Sequence, residues 1–384
     1  MRIAFIGQKG IPAKTGGVER HVEHLSKQLA SQGHEVFVYA RSHYTKRSCA
    51  KVGGVNIVHV PTIYTKHLDA IVHTLFATVH AVFKKYDIVH YQSIGPSFLS
   101  GLMRILAQKT VVIATFHSQD YLHKKWGWFA RLSLRLAEWS TCTIPHATIV
   151  VSKTLQKYVW QAYQRKAIYI PNGAEKIGTE SKEALIKEFG LEKESYILCV
   201  SRLVAHKGVH LAINAFKKLK EEGVLQKSMK LAVVGGGAFT DGYVERLKES
   251  AKKDDAIVLT GQQDGEMLHE LYKNATMFVQ PSESEGLSIA LLEAMCYALP
   301  IVASDIEENK EIVGKNCALL FNSGNDHDLA EKMKEMLGMK GSIREKMKKS
   351  SEKNVKENYH WNKIAQKTTK IYDLLSQKKK AKTL

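Results

Sequence analysis

Residues 281–304 read PSESEGLSIALLEAMCYALPIVAS, and they join two apolar segments through a patterned linker. The segment before them, MFVQ at residues 277–280, and the segment that closes them, LPIVAS, are typical of buried strands. The residues between them predict a turn up to Glu285 and then a helix that begins near Gly286. The buried side of this helix would carry Leu287, Leu291, Leu292 and Met295. The stretch therefore predicts one strand–helix–strand unit, the repeating unit of a parallel sheet.

The same alternation of apolar runs and helical patterns extends to both ends of the chain. A first series of strands is predicted at residues 2–7, 35–40, 56–60, 87–92, 110–117 and 147–152. A second series is predicted at residues 195–202, 230–235, 256–261, 275–282 and 299–304. Helical spacing separates the runs, as in residues 17–32, where the apolar positions are Val18, Val22, Leu25 and Leu29. This alternation predicts an α/β protein with parallel, doubly wound sheets.

The series of strands starts a second time, and a chain of 384 residues is too long for one ordinary core. Together these features predict two Rossmann-like domains that face each other across a cleft. The stretch between the series, residues 168–183, is a plausible hinge. We place the first domain at residues 1–172 and the second at residues 173–357. A last helical pattern, at residues 358–384, is expected to cross back and pack on the first domain.

Composition limits the class of protein. Hydrophobic residues make up 44% of the chain, and the five cysteines form neither a CxxC pair nor a regular ladder. This usage favours a reduced, cytoplasmic protein over a disulfide scaffold or a zinc site. The apolar run at the start of the sequence is too short for a signal peptide. The sequence contains no run of eighteen apolar residues, so no membrane-spanning helix is predicted.

Charge is unevenly distributed along the chain, whose net charge is +18. Residues 1–180 hold 23 Lys and Arg against nine Asp and Glu, and residues 181–384 hold 33 against 29. The basic first half suggests an anionic partner, such as a phosphate or a lipid head group. A generally basic proteome or general solubility is the alternative explanation.

The first candidate loop follows the first predicted strand. Gly16 and Gly17 open a helix there, so their backbone N–H groups could approach a diphosphate. The spacing from Gly7 and Gly10 does not match the GxGxxG fingerprint of dinucleotide-binding proteins, and the second strand ends at Arg41 instead of an acid. A glycine-rich turn without a ligand is the alternative.

Three further loops also follow predicted strands, where ligands of open α/β sheets collect. His117 follows the strand TVVIAT, although a lone histidine is often structural. Arg202 and Lys207 follow the first strand of the second series and could hold one phosphate group from two sides. Glu285 and Glu293 are too far apart for a dyad acting on one atom, but they could hold two parts of an elongated ligand. A helix-dipole partner and a solvated charge are the alternatives for these two acids.

Together these motifs resemble the retaining, nucleotide-sugar-dependent glycosyltransferases of the GT-B fold, of the group 1 or family 4 type, among bacterial polysaccharide enzymes. The resemblance covers nearly the whole chain. It rests on the double-glycine loop, IPNG (residues 170–173), SRLVAHKG (residues 201–208) and the long motif of residues 281–304.

The resemblance implies roles for the residues around the donor sugar and ribose. Glu285 would contact the donor sugar, Glu293 would hold the ribose hydroxyls, and His117 would lie beside the sugar with its main-chain carbonyl. The amides that would bind sugar hydroxyls are those of Gly286, Leu287 and Ser288.

It also implies how the rest of the nucleotide is held. Arg202 and Lys207 would bind the diphosphate, assisted by Gly17 and its neighbour Gly16, and Lys14 resembles the lysine of the glycogen synthase loop. The base would lie near Gly261 and Gln262. The residues expected to be catalytic are His117, Glu285, Arg202 and Lys207, and no metal or other cofactor is expected.

Two positions depart from the family pattern. Ala298 stands where a glycine is usual, and Glu307 and Glu308 stand where many members carry two glycines. The second departure leaves the donor sugar undefined by the resemblance.

The resulting expectation is a metal-independent hexosyltransferase that moves a sugar from an NDP-sugar, with UDP preferred, to a saccharide hydroxyl with retention. The acceptor would be linked to a polyprenyl diphosphate or similar lipid. A GT-B sugar epimerase or hydrolase, and an NAD(P)-dependent oxidoreductase, stay open as alternatives. The basic charge alone would also fit a nucleic-acid-binding module, but no aromatic RNA-binding signature accompanies it, so no nucleic-acid partner is expected.

Two segments suggest a peripheral place at the inner face of the cell membrane. Residues 123–139 mix basic residues with aromatic ones, and residues 69–85 form a second candidate. The aromatic residues of the first are Trp126, Trp128, Phe129 and Trp139, and its basic residues are Lys124, Lys125, Arg131 and Arg135. Simple core-packing helices are the alternative.

Overall fold

The computed structural model describes residues 1–65, 68–119, 128–176, 182–237 and 241–381. The chain divides into two compact units. The first unit comprises Met1–Asn172 and Trp361–Leu384, and the second comprises Gly173–His360. Lys124, Lys125 and Trp126 of the predicted interfacial helix lie outside the described residues, as do residues 177–181 of the predicted hinge.

The first unit is built on an eight-stranded sheet in the order β3-β4-β2-β1-β5-β6-β7-β8. Its strands are β1 (Arg2–Ile6), β2 (Glu35–Arg41), β3 (Lys51–Val52), β4 (Val55–Val60), β5 (Ile88–Gln92), β6 (Val111–Phe116), β7 (Ala147–Val150) and β8 (Ile168–Tyr169). Neighbouring strands pair in parallel except at the edge, where β3 runs antiparallel to β4. β1 lies between β2 and β5, so the order of the strands reverses beside the loop that follows β1.

Two layers of helices cover this sheet. The helices before residue 172 are α1 (Gly17–Ser31), α2 (Leu68–Val82), α3 (Ile94–Ser97), α4 (Ser100–Leu106), α5 (Trp128–Thr143) and α6 (Lys153–Tyr163). The predicted spacing of α1 is confirmed at Val22, Leu25 and Leu29, which are buried against one face of the sheet. Ala77 and Ala81 of α2 and Met103 of α4 pack against the opposite face.

The second unit contains a six-stranded sheet in the order β11-β10-β9-β12-β13-β14, with every pairing parallel. Its strands are β9 (Tyr196–Val200), β10 (Lys230–Val234), β11 (Ile257–Gly261), β12 (Met277–Gln280), β13 (Ile301–Ser304) and β14 (Leu319–Phe321). Its helices are α7 (Val209–Glu221), α8 (Asp241–Lys252), α9 (Gly265–Lys273), α10 (Ile289–Cys296), α11 (Glu307–Val313), α12 (Asp326–Gly338) and α13 (Gly341–Asn354). The strand order reverses between β9 and β12, the place where ligands bind in open α/β sheets.

The chain returns to the first unit through its last helix, α14 (Trp361–Ala381). Trp361, Ile364 and Tyr372 of α14 are buried in the same core as α1. The Trp361 ring stacks on His24 of α1 at a centroid distance of 5.2 Å. This packing makes α14 part of the core of the first unit.

The expectation of two α/β units with parallel sheets is confirmed. The sequence missed the short strands β3, β8 and β14, because two or three residues are too few to show a period. Among the described residues, none of the helices is both long enough and apolar enough to cross a lipid bilayer.

Candidate active site

In the second unit, the loops after β9 and β12 are held together by backbone contacts. The Glu283 amide donates to the His206 carbonyl at 2.9 Å. Gly208 has a φ of +67° and lies so close to the Pro281 carbonyl that a Cβ there would overlap it. Only glycine combines this left-handed backbone with so close an approach. The two loops therefore form one continuous rim at the switch point of the sheet.

The side chains of Lys207 and Glu285 form an ion pair across this rim. Lys207 Nζ lies 2.5 Å from Glu285 Oε2, and the two side chains are only 12% and 8% exposed. Gln280 Nε2 donates to the other carboxylate oxygen, Oε1, at 2.8 Å. Glu285 is thus held by a cation on one oxygen and an amide on the other, in a fixed orientation.

Burial and two charged neighbours set the electrostatics of Lys207. Burial lowers the pKa of Lys207 below its usual value, the Glu285 carboxylate opposes this shift, and Arg202 adds to it. Arg202 itself is exposed beside the rim. An anionic group bound here would be attracted by Lys207 and Arg202, with the Glu285 carboxylate offsetting part of this attraction.

The helix that follows Glu285 begins later than the sequence indicated. We expected a start near Gly286, but α10 begins at Ile289. Ser288 is its N-cap, with Oγ accepting from the Leu291 amide at 3.2 Å. Because Ser288 caps the helix, residues 286–288 precede its first turn and Glu285 is no first-turn acid. Glu293 lies on α10 and is half-buried.

A further loop, Gly235–Gly237, belongs to the same edge of the sheet and was missed. The Leu203 amide donates to the Gly236 carbonyl at 2.9 Å, and the Gly235 amide donates to the Gly261 carbonyl at 2.9 Å. The loop thus links the segment carrying Arg202 to Gly261 and Gln262 at the end of β11. Three successive glycines after a strand were the signal that could have identified it.

Polar residues beneath the rim were also missed. Ser304 Oγ donates to the Ser282 carbonyl, and Asn309 Nδ2 donates to Ser304 Oγ at 2.9 Å. Gln280 is a polar residue in the otherwise apolar strand MFVQ, which was a usable signal. Asn309 offered none, since it lies in a polar helical stretch.

Glu308, at the departure from the family pattern, lies within electrostatic reach of Glu285. Burial raises the pKa of Glu308, and the Glu285 carboxylate raises it further. The second unit therefore presents a second carboxyl group near its buried ion pair.

In the first unit, the loop between β1 and α1 is rigidly held. The Tyr44 hydroxyl accepts from the amides of Lys14 and Thr15 at 2.5 and 2.8 Å. Gly16 is the N-cap of α1 with φ +94°, and a Cβ there would overlap the Glu19 carboxylate. Gly17, the first residue of α1, is exposed, so its amide at the positive helix end is accessible.

His117 lies in a cluster of buried histidines in the same unit. Its Nε2 bonds with Gln92 Oε1 at 2.8 Å, and its ring packs edge-on against His21 at a centroid distance of 4.9 Å. Burial, with His21 and His90 nearby, holds the pKa of His117 well below its usual value. His117 is therefore a neutral, firmly positioned side chain.

His21 connects this cluster to both points where the chain leaves and re-enters the first unit. Its Nδ1 bonds with Asn172 Oδ1 at 2.9 Å, and its ring contacts Trp361 at 5.7 Å between centroids. The sequence did not suggest His21, because no motif separates it from the other histidines of α1.

Known protein families match both halves of the chain. Residues 15–175 match "Glycosyltransferase Family 4" and residues 181–354 match "Glycosyl transferases group 1". An uncharacterized glycosyltransferase of Methanocaldococcus jannaschii is 26% identical, with 97% of this chain and 98% of that protein covered. An alpha-monoglucosyldiacylglycerol synthase of Streptococcus pneumoniae is 25% identical, with 88% of this chain and 78% of that protein covered.

A solved structure shares the whole fold. HepE of Anabaena, whose structure was determined with UDP-glucose, superposes with a TM-score of 0.79 at 17% identity, covering 97% of this chain and 99% of that one. Three findings point to the same family. They are the two family matches, which together cover most of the chain, the full-length relatives and the shared fold. The chain therefore belongs to the GT-B glycosyltransferases, with a family 4 domain in its first half and a group 1 domain in its second.

Proposed function

We propose that the protein is a retaining hexosyltransferase that takes a sugar from a nucleoside diphosphate donor, with UDP as the preferred nucleotide. The observation that carries this proposal is the buried Lys207–Glu285 pair with Arg202 beside it. HepE, which shares the fold, was solved with UDP, with UDP and glucose, and with UDP-glucose. This supports a UDP-sugar as the donor.

The donor-binding roles follow from the second unit. Arg202 and Lys207 bind the diphosphate, and Glu285, oriented by Gln280, contacts the sugar. Glu293 holds the ribose, the amides of residues 286–288 bind sugar hydroxyls, and the base lies near Gly261 and Gln262. In the first unit, the proposal retains the roles that the family resemblance implies for Lys14, Gly16, Gly17 and His117.

The proposed reaction forms a bond between the acceptor oxygen and the anomeric carbon while the bond from that carbon to the diphosphate breaks. The acceptor proton passes to the oxygen of the departing β-phosphate, on the same face of the sugar. Arg202 and Lys207 stabilise the negative charge that develops on this oxygen. Configuration is retained because attack and departure use one face. No metal ion takes part in this proposal.

We propose a lipid-linked saccharide as acceptor, in the synthesis of a cell-surface polysaccharide. Two observations support it. The first half of the chain is strongly basic, which suits an anionic membrane surface. A relative that matches 88% of this chain is named as an alpha-monoglucosyldiacylglycerol synthase.

A thermal-shift panel tests the donor site. UDP, GDP, ADP, dTDP, their sugars and NAD(P) are added to the wild type, to Glu293→Gln and to the exposed control Glu335→Gln. A ligand at a hundred times its dissociation constant adds about 2.7 kcal/mol of stability, enough for a shift of a few degrees. We expect UDP and one UDP-sugar to raise Tm in the wild type and the control but not in Glu293→Gln.

Other results would contradict the proposal. Stabilisation by NAD(P) alone would favour an oxidoreductase. Release of UDP from the donor at full rate without any acceptor would favour an epimerase or hydrolase. For a transferase, the anomeric signal of the product in an NMR spectrum then reports retention or inversion directly.

A further inference from the structure

The helices on one face of the first unit's sheet present their large apolar side chains to solvent. Among the described residues, 18 large hydrophobic side chains are exposed, and 15 of these lie between residues 63 and 139. They are concentrated on α2, α4 and α5. α4 packs against both α2 and α5, so the three helices are neighbours. We call their solvent-facing side the apolar face.

The orientation of α2 is the clearest part of this feature. Its sheet-facing side carries small or polar residues, including Ala77, Thr78 and Ala81. Its solvent-facing side carries Ile71, which is 63% exposed, and Phe76, which is 46% exposed. An ordinary surface helix has the reverse distribution, because burial of large apolar groups is what stabilises it.

α5 continues the pattern with aromatic residues and cations. Trp128 and Trp139 are exposed on this helix, with Leu132 and Leu136 between them. Arg131 and Arg135 are exposed on the same helix. Alternation of tryptophan, leucine and arginine is typical of helices that lie in the interface of a lipid bilayer. Packing against the core does not account for these exposed side chains.

The charge around the apolar face is positive. Lys84 and Lys85, directly after α2, and Arg104 of α4 are exposed. Two of the three acids described in this region are paired or buried. Asp69 pairs with Arg41 at 2.6 Å, Asp87 accepts from the Arg2 amide at 2.7 Å, and Glu138 is fully buried. Asp87 is itself exposed, but the exposed cations of α4, α5 and residues 84–85 outnumber it, so an anionic partner would meet a net positive surface.

We propose that the apolar face of α2, α4 and α5 docks on a bilayer that contains anionic lipids, with its large side chains inserted among the head groups. This deepens the proposed function, since it rests on a lipid-linked acceptor. Contiguous exposed apolar side chains mark a binding surface. The surrounding cations select the anionic bilayer over a second copy of this chain, whose matching face would carry the same positive charge.

Vesicle flotation with the full-length protein tests the proposal. One set of vesicles contains phosphatidylcholine alone, and the other contains one third phosphatidylglycerol. The test variant is Phe76→Ser/Trp139→Ser. The matched control is Trp160→Ser/Leu374→Ser, because Trp160 on α6 and Leu374 on α14 are 48% and 53% exposed, against 46% and 52% for the test pair.

We expect binding to the anionic vesicles that weakens as salt increases. The test variant should lose at least about tenfold in partition coefficient, and the control should stay near the wild type. Loss of binding in both variants, or no binding by the wild type, would overturn the proposal. So would a dimer by light scattering that only the test variant dissociates, which would assign the face to a second copy.

UDP-induced stabilisation is measured on the same samples. Vesicle binding without a response to UDP would contradict the proposed donor site and leave the membrane surface supported. A response to UDP without vesicle binding would contradict the membrane surface alone.

Discussion

At the scale of single residues, Lys207 has two tasks that can be separated. It neutralises the largely buried Glu285 carboxylate, and in the proposed reaction it stabilises the leaving diphosphate. Removing one partner of a buried pair leaves the other charge without compensation, whereas removing both is far less costly.

For Lys207→Met we expect turnover, measured as UDP release with acceptor present, to fall by at least about a hundredfold. We expect the free energy of unfolding to fall by roughly 3 kcal/mol. Lys332→Met, which removes the half-buried partner of the exposed Glu335, should change neither quantity appreciably.

The double variant Lys207→Met/Glu285→Gln tests the stability effect by itself, because it also removes the carboxylate that is proposed to contact the sugar. It should recover most of the lost stability, because no uncompensated charge remains, but it should stay inactive. Recovery of turnover together with stability would contradict the proposed catalytic roles of both residues.

At the scale of elements, α10 ends in a conformation that suits glycine better than the residue present. Ala298, which follows the helix, has φ +52°. The Leu299 amide donates to the Ala294 carbonyl at 3.2 Å and the Ala298 amide to the Met295 carbonyl at 3.1 Å. These two bonds form a Schellman motif, whose left-handed position usually holds glycine.

Ala298→Gly is therefore expected to stabilise the protein. The strain relieved is about 1 kcal/mol, and the greater freedom of glycine in the unfolded chain cancels part of it. Ala298→Val should destabilise, since a β-branched residue fits this conformation worst. Chemical denaturation checks both signs, and a lower midpoint for Ala298→Gly would refute the assignment.

Packing between elements also explains why α2 turns its large side chains outward. Two tyrosines of the sheet, Tyr39 and Tyr91, fill the space beneath it. The Thr78 hydroxyl bonds with Tyr91 at 2.9 Å, and His80 bonds with Tyr39 at 2.8 Å. Small and polar helix residues fit over these rings, so the large apolar residues of α2 face solvent.

At the scale of the whole molecule, buried histidines make the stability of the first unit sensitive to acid. Burial lowers the pKa of His21 to about 4 and that of His73 and His90 to about 3, from a usual 6.5. At a pH between the pKa in the folded chain and the usual pKa, each of these histidines binds a proton in the unfolded chain but not in the folded chain. Stability is therefore complete above pH 6.5 and is lost as pH falls toward the folded pKa.

Each such histidine should cost about 2 kcal/mol of stability at pH 5. We expect His73→Phe, which removes one of them outside the candidate site, to reduce the fall in Tm between pH 7 and pH 5. The exposed His327→Gln serves as control and should keep the wild-type fall. An equal fall in all three proteins would contradict the assignment.

The sequence by itself determined the two series of parallel strands, the helices between them and the loops that carry Arg202, Lys207 and Glu285. These follow from local periodicity and from glycines placed directly after strands. The late start of α10 escaped prediction because Leu287 continues the apolar spacing, although the serine after it caps the helix.

Only the tertiary structure decided which residues meet. Lys207 and Glu285 are far apart in the chain and pair because β9 and β12 are neighbours in the sheet. Contacts between distant segments likewise bring three further residues into place, namely Gln280, Asn309 and His21. The side of α2 that faces solvent also depends on tyrosines from other strands. Such contacts arise between distant segments, and local patterns of hydrophobicity do not encode them.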